Sequence, residues 1–401
     1  MLKKPAGVIL IVVVVLCIVL AALSYRLVST SLEQQTQMTQ VSTRTATPTP
    51  AKTAPAIKAS PTPAPLLLPP VDRSKIRGIA GDPGTDYTNI PWVRLSSPTC
   101  GWGNLQGQAL KDVIQKYHRQ GIRVLFSICQ NTNLLDTAKF TDAAQAYPDA
   151  VQCGNEQMKQ DSSVSFLYVQ PATFAKFYDL CESAIHKLRP ETPVILGSLD
   201  PHVAGADYQL LVNQVNYLDQ MQTAMNTNVH PGGHWNWRHQ TLGLIDSWHN
   251  GWGGSNNLSA LFDFWSQQFQ IDSKQLGNHL WVIEGTGCFK GCGINVDNSY
   301  DVGASHILSL VTDVQTIQQY DVPFFYFSGK DFQDQGINWP IGILDMNGHA
   351  KPIRQDLAMG AVTLSLSCGS KHVTVKNQLQ LLANLYNNCA LPGNYVNILT
   401  S

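Results

Sequence analysis

The chain has 401 residues, 14% of them charged, and a formal net charge of −1. That length suits one large domain or two ordinary ones plus tails, and the charged fraction is well below the roughly 25% of an average soluble protein. No basic stripe occurs, and nucleic-acid binding needs one to displace counterions, so that class is set aside.

At the amino terminus, Lys3 and Lys4 precede an apolar run from Ala6 to Leu23, close to the ~20 residues of a membrane-spanning helix. The two lysines favour a cytoplasmic start, so residues 1–28 are expected to be a short stub and an uncleaved signal anchor, with the rest of the chain outside the cell. Cleavage near Ala22-Leu23-Ser24, giving a secreted protein, is the alternative. Residues 29–70 are mostly Thr, Pro, Ala, Gln and Ser, with few large apolar residues before Leu66. Such a stretch cannot bury a core and is expected to be an extended, disordered stalk.

Of nine cysteines, Cys17 lies in the apolar run. The others (Cys100, Cys129, Cys153, Cys181, Cys288, Cys292, Cys368 and Cys389) form an even set that suits disulfides in an oxidising compartment. Cys288 with Cys292, and Cys368 with Cys389, are candidate bridges; for Cys153 and Cys181 buried free thiols are the alternative to a bond, and the sequence leaves the connectivity open. No Cys-x-x-Cys pair supports zinc.

From residue 71 to 361, strand-like apolar runs alternate with amphipathic stretches. The predicted strands are Ile76–Ala80, Trp92–Ser96, Ile122–Ile128, Ala150–Gly154, Val194–Gly197, Leu242–Trp248, Leu280–Glu284 and Val322–Phe327. The predicted helices are Leu110–Arg119, Ala172–Leu188, Tyr208–Met225, Ala260–Phe269 and Ala304–Tyr320. Alternation of this kind implies a parallel sheet, and eight strands over roughly 290 residues suit a (β/α)8 TIM barrel. An open doubly wound sheet fits less well, because no Gly-rich dinucleotide fingerprint follows the first strand. In residues 362–401, Val362–Ser367 and His372–Val375 read as a small hairpin and Gln378–Tyr386 as a helix. This tail is too small for its own core and is expected to pack on the barrel.

A barrel of this kind carries reactive groups at the C-terminal ends of its strands. There the sequence offers Arg94 on the second strand, Asn155 and Glu156 after the fourth, His249 after the sixth and Glu284 at the end of the seventh. Glu284 closes the run Leu280-Trp281-Val282-Ile283, just before Gly285-Thr286-Gly287 breaks the strand; an acid there is costly unless something uses it. Two facing carboxylates suit glycosidic-bond hydrolysis, with one neutral to protonate the leaving oxygen and the other ionised. Asn155 is placed to bond a sugar 2-hydroxyl, and Arg94 to keep Glu284 an anion. Trp102, Trp235, Trp237, Trp252 and Trp339 read as loop aromatics able to carry sugar faces. Asp200 and His202 read as loop hydrogen-bonders. His230, His234, His239 and His249 lack helical ligand spacing, so neither a metal nor a cofactor is expected.

These residues resemble clan A of the (β/α)8 glycoside hydrolases, which includes many cellulases, mannanases, xylosidases and β-glucosidases. Val93-Arg94-Leu95 is similar to the clan's strand-two arginine, Gly154-Asn155-Glu156 to its strand-four Asn-Glu pair, and Trp281-Val282-Ile283-Glu284 to its strand-seven nucleophile. Ile341 to Pro352 is similar to the segment before the last helix of these barrels. The resemblance spans about Lys75 to Ala361 and implies a retaining mechanism on β-linked glycans, with Glu156 as acid/base and Glu284 as nucleophile. The sequence departs from the clan's pattern at Gly285 and Gly287, at Trp248-His249-Asn250-Gly251-Trp252 and at Phe327-Ser328-Gly329-Lys330. The expectation is therefore a membrane-tethered, monomeric glycosidase. The rival is a barrel without turnover that binds glycan or cell-wall polymer.

Overall fold

The computed structural model describes residues 64–69, 76–82, 91–130, 137–159, 167–200, 211–245, 258–285, 316–317, 319–334, 337–339, 342–349, 364–368 and 371–375. Short runs rich in β-branched and aromatic residues form eight parallel strands: β1 (Arg77–Ala80), β2 (Trp92–Ser96), β3 (Arg123–Ile128), β4 (Ala150–Cys153), β5 (Val194–Leu199), β6 (Thr241–Ile245), β7 (Leu280–Gly285) and β8 (Phe324–Phe327). They pair in chain order, and β8 returns to pair with β1, which closes the barrel. This is the expected TIM barrel. The described helices are α1 (Gly107–Arg119), α2 (Ala138–Ala146), α3 (Pro171–Leu188), α4 (Leu211–Ala224) and α5 (Leu258–Phe269).

Strand alternation sorts the apolar residues into two layers. In β2 Val93 and Leu95 join the large layer between strands and helices, while Trp92 belongs to the barrel interior with Leu125, Ile195, Trp281, Ile283 and Phe325. Trp92 meets Trp281 edge-on at 6.1 Å. In α1, Leu110, Ile114, Tyr117 and His118 form the buried stripe, a helical spacing that presents one face to the sheet. Burial of each large apolar side chain contributes about 1.5–3 kcal/mol.

Two strands carry an extra residue near their C-terminal ends. Against β6, Leu196 and Leu199 of β5 face Leu242 and Leu244, so one β5 residue is additional. Against both of its neighbours β7 does the same: Val282 and Glu284 face Leu244 and Ile245, and Val282 and Gly285 face Phe324 and Tyr326. Such bulges bend a strand locally and re-aim side chains.

Two disulfides tie the framework, Cys100–Cys129 between the ends of β2 and β3 and Cys153–Cys181 between β4 and α3. Cys153 and Cys181 are thus a bonded pair rather than free thiols, because helix α3 packs its Cys181 against the outward face of β4. Cys288, Cys292 and Cys389 lie outside the described residues.

The folded unit begins at Ala64, inside the stretch expected to be stalk. The Leu66 amide donates to Gln115 Oε1 at 2.9 Å and its carbonyl meets His118 Nδ1 at 2.7 Å, so residues 64–69 lie against α1. The rest of the stalk and the run Ala6–Leu23 lie outside the described residues. Among the described residues, no helix is long and apolar enough to cross a membrane.

The small hairpin is present as β11 (Leu364–Cys368) paired antiparallel with β12 (Lys371–Val375); Gln378–Tyr386 lies outside the described residues. Helix α2 had no sequence expectation, and neither did a hairpin after β8 made of β9 (Phe332–Asp334) and β10 (Ile337–Trp339).

Asp149, just before β4, accepts from His118 Nε2 at 2.7 Å, Arg123 Nη1 at 3.3 Å and the Val124 amide at 2.9 Å. Asp149→Ala removes all three acceptor contacts in a buried setting and is expected to cost about 3 kcal/mol of stability, measured by urea unfolding. The Cys153–Cys181 bond closes a loop of 28 residues. Replacing both cysteines with Ala is expected to lower stability by about 3 kcal/mol, while reductant leaves the midpoint of that variant less changed than that of the wild type.

Candidate active site

The site is built from the inside of the barrel upward. Arg94 follows Trp92 on the inward face of β2 and is almost fully buried. A buried guanidinium needs partners for its N–H groups and charge, and four neighbours supply them. Its Nε donates to Ser127 Oγ of β3 and Gln152 Oε1 of β4, both at 2.9 Å. Nη2 donates to Asn155 Oδ1 at 2.9 Å, and Nη1 pairs with the Glu284 carboxylate.

Glu284 reaches this position through the bulge in β7. Trp281 and Ile283 already face inward, so strict alternation would turn Glu284 outward to the helices. The extra residue restores it to the interior, where Arg94 neutralises it and burial leaves it 6% exposed.

Asn155 is held on every side. Its backbone exchanges hydrogen bonds with the Gln130 amide, N to Oε1 at 2.9 Å and O from Nε2 at 2.8 Å. Its Oδ1 also accepts from Gln152 Nε2 at 3.0 Å and Ser198 Oγ at 3.3 Å. Three donors on Oδ1 fix the flip of the side-chain amide, which leaves Nδ2 aimed at Glu156 Oε2, 3.3 Å away.

The turn that carries Glu156 is shaped by close backbone approach. Gly154 has φ 99°, and a Cβ there would lie 2.5 Å from the Phe174 ring. Glu156 itself adopts φ 47°, a left-handed conformation that costs a side-chain-bearing residue about 1 kcal/mol or more. Its amide donates to Ser198 Oγ at 2.7 Å, and the β5 bulge supplies that serine. Burial raises the Glu156 carboxyl to about 7; Lys159 opposes the shift, while Asp200 and Glu284 add to it. Lys159 Nζ lies 2.6 Å from Glu156 Oε1 and 3.4 Å from Asp200 Oδ2. Its ammonium is itself pushed up: burial works against the charge, but the two carboxylates outweigh it.

Arg94, Asn155, Glu156 and Glu284 are thus brought together at one end of the barrel. Trp102 follows β2 at the same end and is 53% exposed, two residues past the cystine at Cys100. The backbone of Trp339 is in β10, after β8, and His249, Trp252 and His202 lie outside the described residues.

Trp235 and Trp237 are corrections. They lie between α4 and β6, and so at the N-terminal end of that strand, away from the glutamates. Trp237 is fully buried, stacks edge-on against Phe269 at 5.5 Å, and donates from Nε1 to Asp219 at 2.9 Å. Trp235 is half-buried against Tyr178 at 6.1 Å. The Trp237 ring fills the layer beneath the helices, and Trp235 packs against that layer at the end of the barrel away from the glutamates.

Sequence reasoning missed Ser127, Gln152, Ser198 and Lys159. The first two carry a usable signal, as polar residues at inward positions of otherwise apolar strands. Lys159 follows Glu156 by three residues, a spacing that permits the contact without requiring it.

Arg94→Met strands Glu284 as a buried, unpaired acid and is expected to cost about 3–5 kcal/mol. Arg94→Met combined with Glu284→Gln is expected to be more stable than Arg94→Met alone. Urea unfolding of the wild type, both single variants and the double variant measures this coupling.

No protein-family model matches the chain, and no curated protein matches it. Among solved structures it is similar to a family 128 (subgroup II) endo-β-1,3-glucanase from Pseudomonas viridiflava, at 16% identity and TM-score 0.46 over 69% of this chain and 94% of that one. It is similar to a family 39 glycoside hydrolase from Bacteroides cellulosilyticus, at 11% and 0.43 over 78% and 70%. The glycoside hydrolase family 53 catalytic domain from Ignisphaera aggregans is a third, at 15% and 0.43 over 74% and 98%. At these scores the similarity carries no weight for the site, which stands on its own geometry.

Proposed function

We propose that the chain is a glycosidase that cleaves β-linked glycans with retention of anomeric configuration. The observation that carries this reading is the electrostatic difference between a buried glutamate at the end of β7 and a largely buried one after β4. Glu284 is paired with a guanidinium, whereas burial raises Glu156 to about 7. An acid raised by burial, facing a second carboxyl held by a guanidinium, suits a division into proton donor and nucleophile.

In the first step Glu284 attacks the anomeric carbon, and the bond to the leaving oxygen breaks as Glu156 delivers its proton to that oxygen. This gives a glycosyl ester on Glu284 and a carboxylate at Glu156. In the second step Glu156 takes a proton from water, whose oxygen displaces Glu284 at the same carbon and restores both side chains. Asn155 Nδ2 is available to the sugar 2-hydroxyl, a bond that strengthens as positive charge develops on the ring. Trp102 offers a ring face to a sugar further along the mouth. The β linkage rests on the clan resemblance alone.

The setting proposed for this activity is outside the cell, on a membrane tether. Lys3, Lys4 and the run Ala6–Leu23 support the anchor, and two disulfides within the barrel suit an oxidising compartment.

The test is a panel of aryl β-glycosides and β-linked polysaccharides, assayed with wild type, Glu156→Gln and Glu284→Gln. Product release by wild type, reduced at least roughly 100-fold in each variant, is the expected result. Proton NMR of the first-formed anomer is expected to show retention, the outcome that a nucleophilic Glu284 requires. Silence of the wild type across the panel, with glycan binding kept in Glu284→Gln, would replace this reading with a binding module.

A further inference from the structure

The two steps proposed for Glu156 require opposite proton states: it must hold a proton to release the leaving group, then lose it to activate water. Among the described residues, few charged or titratable groups surround it. Lys159 lies on its own loop, Asp200 at the end of β5 and Glu284 at the end of β7, while Arg94 on β2 is committed to Glu284 and Asn155. Lys159 is the cation in direct contact, and it is mostly buried between two carboxylates, with its side chain 14% exposed. Asp200 is itself 7% exposed, and its carbonyl accepts from Gln214 Nε2 at 2.7 Å, which ties the residue to α4.

We propose that Lys159 steers Glu156 between its two roles: the ammonium bridges Glu156 and Asp200 while Glu156 is a carboxylate, and stays with Asp200 when Glu156 carries the proton. This inference rests on the glycosidase reading above and deepens it. Lys159 acts through Glu156, so it is a positioning residue rather than one that touches the reacting bond. The geometry suits a handover. Protonation of Glu156 weakens one of two ion pairs, and Asp200 remains within 3.4 Å to hold the buried charge. A lysine with no second partner would lose its compensation at that moment, which is costly in a buried site. Asp200 therefore makes the neutral acid accessible, and Lys159 keeps the anion accessible.

The signs follow from charge. Loss of the cation in Lys159→Met removes an influence that lowers Glu156 and leaves the Asp200 carboxylate unopposed beside it, so the carboxyl rises. Loss of the Asp200 charge in Asp200→Asn removes an influence that raises Glu156 and gives Lys159 to Glu156 alone, so the carboxyl falls. Because the first step consumes the Glu156 proton, kcat/KM is expected to fall as pH rises through about 7 in the wild type.

Two readouts test this on the full-length protein. One is a carbon-13 NMR titration of Glu side-chain carboxyls, with the Glu156 signal assigned by its loss in Glu156→Gln. The other is the pH profile of kcat/KM on the best aryl glycoside. Lys159→Met is expected to raise the Glu156 midpoint by roughly one pH unit or more and to carry the alkaline limb of the profile upward with it. Lys159→Arg, which keeps the cation, is expected to hold both near the wild type, and Asp200→Asn to lower both. Thermal unfolding of each variant confirms that a folded protein is being compared. A midpoint and limb unmoved in Lys159→Met, or moved equally in Lys159→Arg, overturn the inference. A midpoint that shifts as expected in a wild-type background without turnover overturns the glycosidase reading instead, and leaves Lys159 as an ion pair alone.

Discussion

The site depends on one guanidinium placed where water cannot reach it. Arg94 joins side chains from β2, β3, β4 and β7, and through Asn155 it also touches the turn held by β5. A buried charge tolerates little error, because each missing partner exposes the full desolvation cost. The same contacts that make Arg94 affordable therefore hold the strand ends in register with one another. Rigidity at this end of the barrel is a by-product of solvating one cation with protein atoms.

From that constraint the asymmetry of the two acids follows. Glu284 is delivered to Arg94 by an extra residue in β7, and Asn155 is spent as an acceptor for Arg94. Glu156, the next residue, is left with the Asn155 amide, a serine-bound backbone and a lysine from its own loop. One acid meets its counter-ion across the barrel and the other within three residues of itself. The ends of β4 and β7 can hold such different electrostatic environments because the bulges in β5 and β7 re-aim Ser198 beneath Glu156 and Glu284 toward Arg94.

Much of the barrel was legible in the sequence because its strands are buried on both faces and announce themselves as continuous apolar runs. Arg94, Asn155, Glu156 and Glu284 stood out for the same reason, as polar groups at the edges of such runs. The bulge in β7 was not legible: Leu280 to Gly285 looks like an ordinary strand, and simple alternation would send Glu284 the wrong way. Trp235 and Trp237 misled because an aromatic in a Gly-rich stretch looks alike at either end of a barrel. Only its order relative to β6 decides which end it serves. Helix α2, Ala138–Ala146, is short and rich in alanine, so its periodicity is faint. The pairing of Cys153 with Cys181 required the packing of α3 on β4, a tertiary contact that spacing does not encode.

The two cystines also bear on how the chain reaches this state. Cys100 bonds to Cys129 and Cys153 to Cys181, so each cysteine is joined to its neighbour along the chain and the loops neither nest nor cross. Of the three possible pairings among these four, this is the one in which each cysteine bonds to the next along the chain, so the first bond leaves no earlier member of the set waiting for a later partner. The first bond needs nothing beyond residue 129, and the second nothing beyond residue 181. Neither bond involves the strand bearing Glu284, so each secures a strand–helix segment of the barrel's first half independently of the later strands.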